Sequence, residues 1–233
     1  MKNMPILNEK TYFCAETSKW KIRLKIGFKY YLDHQGELAE EHIGGITKVA
    51  KMTNDDVLTL KASVLYVLNK AGGALDKYRI YKSLYFANKE HLNKYGRLIV
   101  SDTFFALPNG PVPTKLANVF DSMRGGDISR KDRVLFSPIL ESVEHCGYDA
   151  DNFFRAKERP DMDELSQSDI ECLEFGLNKC KGKSFGEIKE ESHDSAWEKA
   201  SQKPRLKSID ILDMIDDENV RMKEYVIDNM YCF

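Results

Sequence analysis

The chain has no apolar stretch approaching the length of a membrane span, and Met1-Lys2-Asn3-Met4-Pro5 lacks the hydrophobic core of a secretion signal. A cytoplasmic protein without membrane association is expected. Cysteine is scarce and poorly spaced: Cys14, Cys146, Cys172, Cys180 and Cys232 form no CxxC pair and leave an odd count. Reduced thiols follow rather than a disulfide framework, and structural zinc has no short-spaced ligand pair to start from. The signatures HExxH, GxxxxGK(S/T) and GxGxxG are missing too, which removes the usual marks of zinc hydrolases, P-loop enzymes and dinucleotide binders. Internal repeats and low-complexity segments are also lacking.

What is present is an ordinary globular composition. The 233 residues are 42% hydrophobic and 31% charged, enough for one domain with an appendage or for two small domains. A net charge of -2 hides a polarity along the chain. Lys10, Lys19, Lys21, Arg23, Lys25 and Lys29 crowd the beginning, whereas Asp210, Asp213, Asp216, Asp217, Glu218, Glu224 and Asp228 dominate the end. Such runs are usually solvated faces, and they also steer partners.

Residues 10 to 33 read as strand. Trp20, Ile22, Leu24, Ile26 and Phe28 alternate with Lys19, Lys21, Arg23, Lys25 and Gly27, so one face is apolar and the other cationic. Thr11 to Ala15 is the expected partner strand, and His34-Gln35-Gly36 closes the run. A two-stranded sheet needs a further packing surface, either the main domain or a second subunit, so a homo-oligomer through this sheet is open. Lys19, Lys21, Arg23 and Lys25 are the candidate nucleic-acid contacts, cations for phosphate with aromatics nearby for stacking. A sheet with one wet charged face is the plainer account. Gly44-Gly45 marks a linker, and the spacing places a boundary near residue 50: an N-terminal β-rich extension over 1–50 and a main domain over 51–233.

The main domain reads as helices. Thr53-Asn54-Asp55-Asp56 opens one, with Val57, Leu60, Val64, Val67 and Leu68 as its stripe and Gly72-Gly73 as its end. Asp76 caps the next, which carries Tyr81, Leu84, Tyr85, Asn88, His91, Leu92 and Tyr95 on one face. Buried Asn88 and His91 must find hydrogen bonds, which marks them as members of a structural network. Leu98-Ile99-Val100 and Thr103 to Ala106 are strand candidates. Pro108, Pro111 and Pro113 then pre-shape a loop, either a stiff recognition surface or simply the turn into a helix at Thr114. Val134-Leu135-Phe136 and Phe153-Phe154 suggest strands, with a turn at Asp149 to Asn152. Ser166 with Asp169, and Ser184 with Glu187, have capping-box spacing. The segment from Ser208 suggests two short helices.

Ser192, His193 and Asp194 have the residue types of a catalytic triad, and Glu90-His91 with His193 could be assembled into a metal site. Neighbours in sequence seldom aim at one another as nucleophile, base and orienter must, and the ligand set is too sparse for zinc. No catalytic residue, metal ligand or cofactor is assigned; His91, His193 and Trp197 join Asn88 in the structural network. A basic recognition helix is not apparent in the helical middle, so nucleic acid is not the expected partner.

Two blocks resemble a known family. Lys82 to His91 followed by Phe105-Ala106-Leu107-Pro108-Asn109-Gly110-Pro111-Val112-Pro113, and then Ser184-Phe185-Gly186-Glu187 and Ser192-His193-Asp194-Ser195-Ala196-Trp197, resemble the Panacea, or SocA-like, antitoxin domain of bacterial and phage toxin-antitoxin systems. The resemblance covers roughly residues 51 to 200. Lys82, Leu84, Tyr85, Phe86, His91, Leu92, Gly96, Leu107, Pro108, Gly110, Pro111, Val112, Pro113, His193 and Trp197 match its recurrent positions. Asn88 stands where that helix usually has aspartate, and Asn109 where histidine or another polar residue is common. The resemblance implies an α+β, mainly α fold: a helical domain with a short β-hairpin, preceded here by the small antiparallel β extension. It implies a binding protein rather than an enzyme, one that neutralises a cognate protein toxin by direct contact. The alternatives are an adaptor delivering a toxin to a ClpXP-type protease or chaperone, and a phage counter-defence binding protein. Partner contacts are then expected from Lys82, Tyr85 and Asn88 on the helix and from Pro108, Asn109, Gly110, Pro111, Val112 and Pro113 in the loop.

Overall fold

A computed structural model of the protein describes residues 29–32, 38–41, 52–147 and 152–230. The chain divides into two compact units, Met1–Lys51 with Glu224–Phe233, and Met52–Lys223. In the first, β1 (Lys29–Leu32) pairs antiparallel with β2 (Leu38–Glu41), Lys29 opposite Glu41 and Leu32 opposite Leu38. Of the expected strand of residues 10 to 33, positions 29–32 are described, and they pair with a strand downstream. Thr11 to Ala15, Lys19, Lys21, Arg23 and Lys25 lie outside the described residues, as does most of the expected Asp149 to Asn152 turn.

The second unit is built on capped helices. Thr53 starts α1 (Asn54–Ala71): its hydroxyl accepts from the Asp56 amide at 3.2 Å while the Asp56 carboxylate accepts from the Thr53 amide at 2.8 Å. Each such cap is worth about 1 kcal/mol, because it satisfies amides that have no intrahelical partner. Gly72, with φ of 78°, ends α1, and Val57, Leu60, Val64, Val67 and Leu68 are buried as their spacing requires. Leu75–Asp76 forms β3, and Asp76 caps α2 (Lys77–Tyr95) by accepting from the Arg79 amide. Ser166 and Asp169 form the expected box at the start of α6 (Gln167–Cys180), described with the remaining elements below.

α2 is the axis of this unit, and α6 is its closest neighbour. A Cβ at Gly176 of α6 would overlap the Ser83 carbonyl oxygen and sit 2.9 Å from the Ala87 amide nitrogen of α2. Only glycine lets the two backbones approach this far, at the usual helix-interior cost of about 1 kcal/mol relative to alanine.

After α2 the chain forms a hairpin of β4 (Phe104–Leu107) and β5 (Gly110–Pro113), with Leu107 opposite Gly110 and Phe104 opposite Pro113. The expected proline loop is therefore a strand for most of its length, turned by Pro108-Asn109. Proline has no amide hydrogen, and Pro111 and Pro113 occupy the register positions whose amides would point away from β4. The other side of β4 is taken as well: Ala106 donates to the Lys207 carbonyl at 2.8 Å and Phe104 accepts from the Ile209 amide at 2.8 Å. Thr114 then begins α3 (Thr114–Ser122), whose first amides donate to the Asp102 carboxylate.

Two expected strands are corrected. Leu98-Ile99-Val100 is irregular, because the Asn88 side chain takes the backbone bonds a ladder would need. Val134 and Leu135 end a short helix, α4 (Arg130–Leu135), capped by Ser129 on the Asp132 amide. α5 (Ser137–Ser142) leads to β6 (Val143–Cys146), and β7 (Phe153–Ala156) lies between β6 and β3 in an antiparallel sheet. Phe154 of β7 stacks on Phe120 of α3 at 4.0 Å, and Phe120 meets Tyr81 of α2 at 5.9 Å, joining three elements through one aromatic column. α7 (Phe185–Ser192), α8 (Ser195–Ser201) and α9 (Val220–Met230) complete the order, with a single helical turn at Leu212–Met214. The fold is α+β and mainly helical. No helix among the described residues is long and apolar enough to cross a membrane.

Candidate interaction site

The polar side chains of α2 fall into two groups. Toward its C-terminal end, Asn88 is buried and uses its whole amide: Oδ1 accepts from the amides of Ile99 and Val100, and Nδ2 donates to the Val100 carbonyl, all at 3.0 Å. His91, also buried, donates from Nδ1 to the Arg97 carbonyl at 2.9 Å, which leaves Nε2 3.0 Å from Ser168 Oγ and 3.2 Å from Asp169. Burial opposes ionisation of Asp169, yet bonds from His91 and Ser166 and the Arg97 guanidinium hold its carboxyl well below the usual carboxylate range.

Toward the N-terminal end the accounts are less complete. Lys82 is fully buried and its ammonium donates to the Pro111 carbonyl at 2.7 Å, 4.9 Å above the Tyr78 ring. Among the described residues no carboxylate lies within ion-pair distance of it, and burial pulls its pKa down to about 7. Gly110, with φ of 95°, passes so close that a Cβ would meet Ser192 Oγ and lie 2.8 Å from Lys82 Nζ. One turn along α2, Tyr85 donates to Asp194, which also receives Lys89 at 2.9 Å and caps α8 through the Trp197 amide. Burial first, and then Asp194, raise the Tyr85 phenol well above its ordinary value.

His193 and Trp197 stack with ring centroids 3.6 Å apart and planes 5° from parallel. The indole N–H donates to the Leu107 carbonyl at 3.0 Å, so α8 holds the hairpin tip from one side as Lys82 holds β5 from the other. His193 Nε2 is buried without a partner, and burial together with Lys189 and Lys82 lowers the imidazole pKa. The expectation of a satisfied imidazole at His193 is thus not what the geometry shows.

The expected partner contacts are redistributed. Lys82, Tyr85, Asn88, Gly110, Pro111 and Pro113 are buried in contacts within the unit, Asn88 on the Ile99–Val100 backbone and Lys82 on the hairpin, and cannot meet a partner in this conformation. Pro108 and Asn109 are exposed, Val112 is half-buried, and Leu107 at the tip is 42% exposed. Sequence inspection missed Phe185, which is 48% exposed and packs on Tyr78 at 4.4 Å. An aromatic at the first helical position after the Ser184 cap was the available signal. Phe185, Tyr78, the hairpin and Trp197 follow one another through contacts along one side of the unit.

Ser192, His193 and Asp194 do not form a hydrogen-bonded relay: Ser192 Oγ donates to the Lys189 carbonyl, and Asp194 serves Tyr85, Lys89 and the Trp197 amide. Among the described residues no group of three or more His, Cys, Asp or Glu could hold a metal ion.

The unit is helix-dominated α+β, and its buried polar groups tether a hairpin whose tip lies beside an indole. A family model described as Antitoxin SocA-like, Panacea domain matches residues 80–198, and the chain belongs to that family. The match opens inside α2, so α1 precedes it. No curated protein and no solved structure gives a match.

Proposed function

We propose that the protein neutralises a cognate protein toxin by direct binding, using the β4–β5 turn and the aromatic side chains beside it. Membership in the SocA-like antitoxin family supports the partner class. The observation that carries the site is the hairpin tip, where Leu107, Pro108 and Asn109 are exposed while backbone on either side of them is tied down by Trp197 and Lys82. A turn fixed before binding pays less ordering entropy when a partner docks. Three residues do not cover the roughly 800 Å² per partner of a standard interface, so Phe185, Trp197 and neighbouring helix surface belong to it as well.

Co-expression with the protein encoded by the adjacent gene tests this. The neighbour alone should arrest growth, and this chain should restore growth and co-purify with it. Rescue without a complex would favour transient delivery to a protease instead, and a harmless neighbour would remove the toxin from the account.

A further inference from the structure

The segment that closes the outer edge of β4 is unusually basic. From Lys199 to Ile209 the chain reads KASQKPRLKSI, with Lys199, Lys203, Arg205 and Lys207 and no acidic residue. Of the carboxylates that follow it, Asp213 and Asp217 reach Lys199 at the start of the segment and none pairs with Lys203 or Lys207. Asp213 pairs with Lys199 at 3.2 Å, Asp216 with Lys89 at 3.4 Å, and Asp217 with Lys223 at 2.6 Å. Lys203 directs its ammonium to the Ser208 carbonyl, and among the described residues no carboxylate lies within ion-pair distance of Lys203 or Lys207. Pro204, Arg205 and Lys207 are exposed.

This basic run is bonded to the hairpin, through Ala106 to Lys207 and Phe104 to Ile209, so its cations accompany the exposed Leu107-Pro108-Asn109 tip and the Trp197 indole. Lys203 and Lys207, which no carboxylate among the described residues reaches at ion-pair distance, lie beside an apolar tip and an indole and so complement an acidic polypeptide that also carries an apolar side chain. Nucleic acid would use the cations too, but Leu107 and Pro108 at the tip itself are aliphatic and offer bases no aromatic face to stack on, and the oligonucleotide arm of the test decides between the two.

We infer that the Lys203–Lys207 segment and the β4–β5 tip together form the docking surface for an acidic, apolar-anchored segment of the protein partner. This rests on the antitoxin reading and names the chemistry of the toxin surface that reading requires.

The test uses the full chain carrying Trp20→Phe, so that the remaining indole, Trp197, reports. It is titrated with a synthetic acidic peptide holding one central leucine, with the same peptide made neutral by Gln and Asn, and with a single-stranded oligonucleotide of equal charge. The acidic peptide should bind and change Trp197 fluorescence, more weakly as salt rises. The K207E variant should weaken binding several-fold with an unfolding midpoint near the parent's, and K203E/K207E, which also loses the Lys203 bond to the Ser208 carbonyl, by roughly tenfold or more. Lys207 is the cleaner position because it is exposed and no carboxylate among the described residues lies within ion-pair distance of it. Absent binding of the acidic peptide, equal binding of the neutral one, indifference to K203E/K207E, or tighter binding of the oligonucleotide would each overturn the inference. Co-expression separates it from the broader reading. If wild type and K203E/K207E rescue growth and co-purify equally, the antitoxin role stands and the acidic docking surface fails. If the neighbour is harmless, the antitoxin role fails and the peptide titration alone judges the surface.

Discussion

The two ends of α2 handle buried polarity in opposite ways. Around Asn88 and His91 every side-chain polar atom has a partner, and those partners are backbone groups of the Arg97 to Val100 segment or the start of α6. Around Lys82 an amine is buried on one carbonyl with no carboxylate in ion-pair reach among the described residues, and the neighbouring imidazole keeps Nε2 unpartnered. The first end is closed and structural. The second lies beneath the hairpin whose tip reaches solvent. Strain in polarity and exposure in surface thus coincide at one end of one helix, which is where binding function is expected to concentrate.

The contrast can be broken most strongly at the closed end. Asn88→Ala removes three bonds and orphans the amides of Ile99 and Val100, so urea denaturation should register a loss of about 3 kcal/mol or more. An Asn88→Asp change keeps the acceptor and loses the donor to Val100, and should cost less than alanine.

Lys82 sharpens the comparison through pH. Its folded pKa near 7 lies below the 10.5 of an ordinary lysine, so between those values the unfolded chain binds more protons than the folded one. Stability contributed by Lys82 is therefore greatest above pH 10.5 and declines as pH falls toward 7. The steepest slope is about 1.4 kcal/mol per pH unit. Lys82→Met should flatten that dependence in denaturation curves collected across the range, while losing the bond to Pro111. A slope unchanged in Lys82→Met would mean that the ammonium is solvated in the folded protein.

Smaller effects come from the anchors. Ser166→Ala, which removes the cap of α6 next to His91, should cost about 1 kcal/mol in thermal or urea unfolding. Trp197→Phe keeps an aromatic ring for His193 but drops the bond to Leu107, a stability change of about 1 kcal/mol or less. Its larger consequence should be weakened co-purification with the partner, since the hairpin tip loses one of its two tethers.

Much of the fold was legible because it is written locally. The caps at Thr53, Asp76, Ser166 and Ser184, the apolar stripe of α1 and the burial of Asn88 and His91 follow from spacing and residue type alone. What escaped depends on distant partners. Leu98 to Val100 has strand composition, yet Asn88 takes its backbone bonds from ten residues or so away. Val134-Leu135-Phe136 also looks like strand, and only Ser129 with Asp132 signals the helix it ends. The proline run hid a strand because proline is rare in sheets except where its missing amide points outward, which is a property of register. Gly176 shows how a mid-helix glycine can mark a helix contact, but the contacted helix is α2, far earlier in the chain. For the site, residue direction was the hardest thing to read: Lys82 holds the hairpin, Tyr85 holds Asp194 and Asn88 holds the Ile99–Val100 backbone, and all three face inward.

The hairpin has no vacant edge. β4 is occupied along Lys207 to Ile209, and β5 offers prolines and a carbonyl already held by Lys82. A partner that extends a sheet reads backbone, which is the same for every sequence, and it tolerates drift in the side chains it covers. Here that mode has no place to attach at the hairpin, so under the proposed function recognition would fall to the three residues of the tip and the side chains around it. Selectivity written in so few letters would change by single substitutions: on the proposed reading, an exchange at Leu107, Pro108 or Asn109 would alter partner choice while the interior that holds the hairpin stays as it is.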